Sequence, residues 1–417
     1  MLLAMSMGGP AVAGGRDVLS VVWQEAALVG AITALAWALW RWWLAPVRQP
    51  RAVGTGTAVG TGRARGQHQE ERAEQARAPW WKESRRALRV LLGALWIVDG
   101  LLQARPTMGP GFVPDDLRPL LSGEPGWLDS ALRWSIRVWS AHPLHVDAAT
   151  VLVQVGIGLA IVAGGDDRLG RMGLWVSIGW GLFVWVFGEG LGGILQHGAS
   201  FTMGVPGGVL AYVLGGVLLL LPVRWWASRR MARIAALATA AFFATGAVLQ
   251  ALPANGLWRG HTLAQSFSGM VAAGTPSAIA APMRAMGHLA STHPIVVNAV
   301  LVAMMAGLAA WLGTGRGPRG AALAAIVWLG AAWWLSQDFG VIGPAATDPN
   351  LALPLALVLG ACTFGRPSPA PLELVSPATT KPRRTWRDAA FSPIVFAGLL
   401  AIPIASFPVL GTLLGGH

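Results

Sequence analysis

Apolar runs long enough to cross a bilayer recur along this 417-residue sequence, and they constrain its fold more than any other feature. A helix needs about 20 mostly apolar residues to span about 30 Å of hydrocarbon, where every backbone polar group must be satisfied within the protein. Candidate spans occupy 18–40, 87–103, 144–163, 172–195, 204–221, 234–252, 294–312, 321–334, 351–364 and 389–414, those at 321–334 and 351–364 being the shortest at 14 residues each. With 54% hydrophobic and 12% charged residues and a mean hydropathy of +0.54, too little charge remains to cover soluble domains. The expected fold is all-α, a polytopic membrane helix bundle of about ten transmembrane helices.

The charge pattern orients that bundle. A formal net charge of +12 sits in short segments between the runs, without one basic patch interleaved with aromatics, so nucleic acid is not an expected partner and the lipid bilayer is. Placing the Arg-rich, Gly-rich stretch 48–86 in the cytoplasm as a flexible linker puts three more basic groups on the same side. They are Arg224, Arg229, Arg230 and Arg233, then Arg316 and Arg319, then Lys381, Arg383, Arg384 and Arg387. The expectation is a multi-pass plasma membrane protein with both termini outside. The first fifteen residues lack a basic n-region and are expected to be retained. Cys362 is the sole cysteine, which excludes an internal disulfide and a two-cysteine relay.

An internal duplication organises the middle of the chain. Two long outer loops, 104–143 and 253–293, follow related sequences, QARP from Gln103 and QALP from Gln250, and each ends in His-Pro, at His142 and at His293. The next helices agree, HPLHVDAATVLVQV with HPIVVNAVLVAMMA, so Asp147 falls opposite Asn298, and Glu189 falls opposite Gln337. Two parallel four-helix repeats follow, since an even number of spans returns the chain to the same side. The predicted organisation is an N-terminal helix unit 1–47, the linker 48–86, modules 87–222 and 223–364, and a linker with a last helix in 365–417. Within the first long loop, 127–139 sets Trp and Leu among Asp129, Arg133 and Arg137, the pattern of a helix that lies flat at the outer interface or re-enters a little way.

The opening RVLLGALWIVDGLLQARP, with Arg89, Gly93, Trp96, Gly100 and Leu101, resembles the first helix of the DoxX-like membrane proteins, and Arg233, Phe243 and Gly246 repeat it more loosely. Two tandem copies would run from Arg89 to about Cys362. The resemblance implies a redox-associated membrane subunit that binds a quinone or a small redox substrate and works with a redox partner protein or membrane complex. A transporter or ion-coupled permease with a site between the repeats, and a noncatalytic assembly subunit of an outer-side metalloprotein, fit the same architecture.

Polar residues in apolar surroundings mark the candidate site. Asp99, Glu189 and Asp338 fall at one outer level, where an ionised carboxylate is costly unless paired or protonated; each reads as a helix clasp, as a solvated helix end, or as a proton-handling group in a pocket. Gln103, one turn beyond Asp99, and Gln337 beside Asp338 are candidate substrate-binding residues. Trp185 and Trp334, in the fourth span of each module, pack the core or stack on a flat quinone headgroup. His142, His145 and Asp147 form HPLHVD, which serves as a membrane entry before proline or, less favoured, as part of a metal site. No dinucleotide, phosphate-loop, zinc-protease or nucleophile-elbow motif occurs.

Overall fold

The computed structural model describes residues 80–105, 107–228, 230–272, 275–342 and 346–364. The expected end helices at 18–40 and 389–414, most of the 48–86 linker, Arg229 and the Lys381–Arg387 group lie outside the described residues. The regular structure described is all helical, and no strand occurs among these residues.

Helix α1 runs Trp80–Gln103, α2 Gly126–Ala141, α3 Pro143–Gly164, α4 Arg168–Phe187 and α5 Val209–Leu220. They are followed by α6 Arg230–Ala251, α7 Gly260–Ser268, α8 Ser277–Thr292, α9 Pro294–Thr314, α10 Pro318–Leu335 and α11 Ala352–Thr363. Of these, α3, α4, α6 and α9 are long and apolar enough to cross a membrane. A bent pair, Trp81–Gln103 and Met108–Leu121 at 81°, makes a fifth candidate. The hydropathy run 172–195 overshoots, because the helix stops at Phe187.

Local chemistry sets the boundaries. His142 and His293 precede Pro143 and Pro294 at the first helical positions, where the missing proline N–H costs nothing. Asp167 caps α4 by accepting from the Gly170 N–H at 3.0 Å. At the far end of α9, Arg233 donates to the carbonyls of Leu312 (2.9 Å) and Gly313 (2.5 Å), satisfying acceptors that the helix leaves over. Arg85 and Arg89, on the first turns of α1, both meet Asp166 in the α3–α4 turn, and Arg85 also reaches the Leu219 carbonyl at 3.1 Å. Burial works against the Asp166 charge, and Arg89 and Arg85 reverse that effect, holding its carboxyl below the ordinary range.

The helices α5 and α11 are the informative departures from the hydropathy reading. Each has 12 residues, and at 1.5 Å per residue each rises about 18 Å, well short of about 30 Å of hydrocarbon. The chain before each is irregular, 188–208 before α5 and 336–351 before α11. Irregular backbone at membrane depth is tolerated where it is buried in protein or lines a cavity.

Two clusters form the core. In one, Trp96 and Tyr212 meet edge to face at 4.9 Å among Leu88, Leu92, Ile157 and Leu174, and Trp96 Nε1 donates to Ser177 Oγ at 2.8 Å. In the other, Phe201 packs on Phe243 (5.3 Å) and Trp328 (5.5 Å) among Met305, Leu329 and Leu355.

Candidate functional site

The loop 188–208 forms the floor of a cavity of about 1060 Å³. Its conformation depends on glycine. Gly192 has φ +62°, and a Cβ there would run into the Pro206 carbonyl; a Cβ on Gly207 would overlap Glu189. The loop can therefore fold back under α5 and present Glu189 inward, with Glu189 Oε1 accepting from the Val209 N–H at 3.3 Å.

Helices α3 and α4 form the side walls. They touch near their connecting turn, where a Cβ on Gly173 would lie 2.9 Å from that of Ala160, and the cavity separates them farther along, between Ala149–Gln154 and Val176–Phe187. The helix α2 closes the end with Trp134, Ser135, Val138 and Trp139. Most of the wall is aromatic. Trp180 stacks on Phe183 (5.3 Å), Phe183 meets Phe187 (4.8 Å) and Phe187 meets Trp134 (5.2 Å), a continuous path of rings.

Four carboxyl groups from separate parts of the chain line this space: Asp99 on α1, Asp116 in the first long loop, Glu189, and Asp348 ahead of α11. Among the described residues none of the lining side chains is Lys or Arg. Asp99 is buried and accepts from Tyr212 Oη at 3.0 Å. Asp348 is held by the Asn350 N–H (2.6 Å) and by Thr347 Oγ1 (3.1 Å). Glu189 and Asp348 keep some accessible area because they face the cavity, yet they lie deep among protein atoms. Burial, then the neighbouring Asp115 and Asp348 charges, carries Asp116 up to about 7.

Several polar atoms at the wall have no protein partner: Glu189 Oε2, Asp116 Oδ2, Gln154 Oε1 and Trp180 Nε1. Gln154 is the most telling, since it is only 8% exposed. An orphaned buried amide costs about 1–3 kcal/mol unless water or a ligand completes it.

No protein family, curated protein or solved structure matches this chain.

The structure thus brings Asp99, Glu189 and Gln103 to one cavity, but Gln103 turns to Asp147, donating at 2.8 Å, and not to Asp99. Asp338 lies elsewhere, accepting from the Ala272 N–H (2.9 Å) and Thr275 Oγ1 (2.5 Å). Gln337 is a buried tie, donating to the Thr202 carbonyl (3.0 Å) and accepting from the Ala352 N–H (3.1 Å). Trp185 and Trp334 do not line the cavity; Trp185 Nε1 donates to the Pro206 carbonyl (2.8 Å) and Trp334 Nε1 to that of Ile279 (3.4 Å). The rings of His142 and His145 stand 6.1 Å apart, while Asp147 points to Gln103, and no group of three or more metal-type ligands occurs among the described residues. Sequence reasoning missed Asp116, Gln154, Tyr212 and Asp348. A signal for Asp348 exists, an acid just before an apolar run too short to span.

Proposed function

We propose that this chain is a ten-span plasma membrane protein with both termini outside, built from two tandem four-helix modules in the same orientation, and that it works as a proton-coupled permease. Three hydrogen bonds recur at equivalent places and support the repeat. Gln103 bonds Asp147 as Gln250 bonds Asn298 (2.7 Å). Glu189 accepts from the first residue of α5 as Gln337 accepts from the first residue of α11. Trp185 holds the Pro206 carbonyl as Trp333 holds that of Pro349 (2.9 Å).

The observation that carries the functional reading is the large cavity at a broken helix crossing, lined by four carboxyls and no fixed positive charge. Asp116, in the outer loop and raised to about 7, can exchange a proton for a ligand within the working pH range, and Glu189 and Asp348 border the same space. Discontinuous helices near mid-membrane are where transporters bind substrate.

The quinone-linked reading implied by the DoxX-like resemblance is served less well. The rings expected to stack on a quinone headgroup, Trp185 and Trp334, do not line the cavity.

The test uses purified protein in liposomes loaded with a pH-sensitive dye and challenged in turn with amines, amino acids, sugars and oxyanions. At least one class should drive proton movement that Glu189→Gln abolishes. Proton movement absent for every class, or quinone reduction by the purified protein, overturns the reading.

A further inference from the structure

Resting on the reading of this cavity as the functional site, we infer that its occupant is a lipophilic organic cation that enters sideways from the bilayer, between α3 and α4. Charge comes first. A space bordered by Asp99, Asp116, Glu189 and Asp348, without Lys or Arg among its described lining residues, repels anions, and a cation is the ligand that can take the place of protons held there. An ammonium or phosphonium centre would offset them. His197 is the other titratable side chain at the wall besides Tyr212.

Shape and polarity come next. The ring path from Trp180 to Trp134 offers faces to a cation and area to its apolar body. The buried, partnerless Gln154 Oε1 adds an acceptor on the opposite wall, independent of the acidic groups. The class of ligand that satisfies acceptors and aromatic faces together is a cation carrying rings or hydrocarbon.

The route follows from the wedge between α3 and α4. The mouth of the wedge is at Gly179, which is exposed, with Phe183 40% exposed one turn on. A Cβ at Gly179 would meet no atom within 4 Å, so the opening is empty space on a face that the proposed topology turns to lipid. A hydrophobic cation concentrated in the bilayer would meet this mouth first.

Binding of labelled tetraphenylphosphonium to the full chain in nanodiscs tests the inference, with empty nanodiscs as background and tetraphenylborate as an anion of the same shape. Saturable binding is expected at pH 8, with tetraphenylborate failing to compete. Kd should rise about tenfold at pH 5.5, as a proton occupies Asp116. Asp116→Asn and Glu189→Gln should each weaken binding about tenfold. Asp116 Oδ2 has no protein partner, so Asp116→Asn removes no contact of that atom and remains informative if Glu189→Gln fails to fold. Gly179→Trp should slow association at least tenfold without altering gel-filtration behaviour. No saturable binding, equal competition by tetraphenylborate, or unchanged affinity in Asp116→Asn overturns the ligand class; unchanged association in Gly179→Trp overturns the lateral route. Charge-selective binding without any proton movement in liposomes would leave this inference standing and remove the permease reading. Proton movement driven by another compound class, with no phosphonium binding, would do the reverse.

Discussion

A carboxylate facing a cavity costs folding energy whenever it is ionised without a partner, and Asp116 makes the sign of that cost testable. Its native pKa is raised from 3.8 to about 7, so the folded protein holds a proton there that the unfolded chain releases. The native state therefore binds more protons than the unfolded state between about pH 4 and pH 7. Stability falls as pH rises through this window and levels off above it. Asp116→Asn should raise Tm at pH 8 by about 2–4 °C, the shift for about 1 kcal/mol in a domain of 150–250 residues, and should change it little at pH 4. Thermal melts of the purified protein at the two pH values check this; equal shifts at both would contradict the assignment. Asp166 behaves oppositely, since its pairing with Arg85 and Arg89 is lost as pH falls.

The elements were legible where hydropathy and punctuation agree. Pro143 and Pro294 open helices, Gly165 and Gly315 follow their ends, and the apolar periods between them fill with helix. The stretch 188–208 was not, because Gly, Ile, Leu, Ala and Val keep its hydropathy high whether it is helical or folded back, and only its glycines carry the difference. Tyr212 was hidden for another reason: it reaches Asp99 across a sequence separation of 113 residues, which no local pattern encodes. Gly192 gives the element-scale prediction. At φ +62°, with no room for a Cβ, Gly192→Ala should cost at least about 2 kcal/mol through backbone strain and collision. Gly156→Ala, within α3 and with nothing near the new methyl, should instead stabilise by about 0.5–1 kcal/mol. Denaturation in detergent, compared for the two variants, separates a glycine required by its conformation from one that is not.

At the scale of the whole molecule, the two halves spend the same architecture differently. On the proposed repeat, Trp96 corresponds to Phe243 and Asp99 to Gly246, and a Cβ on Gly246 would lie 2.6 Å from the Cβ of Phe201. The side chain of Phe201 thus fills, against Phe243 and Trp328, space that corresponds to the acid level of the first half. The polar pairs have followed: Gln103 with Asp147 has an uncharged counterpart in Gln250 with Asn298, and Glu189 has one in Gln337, whose second polar atom is bonded to Thr202. At this level the second half is filled where the first is hollow. Phe201→Ala should therefore destabilise the protein by about 3–5 kcal/mol, the usual result of emptying a packed aromatic site. Filling the other half should not: Gly179→Trp, which enters open space, should leave Tm within about 1 °C. Calorimetry on the two variants decides it, and comparable losses in both would mean that the first half is as tightly packed as the second and holds no room for a ligand.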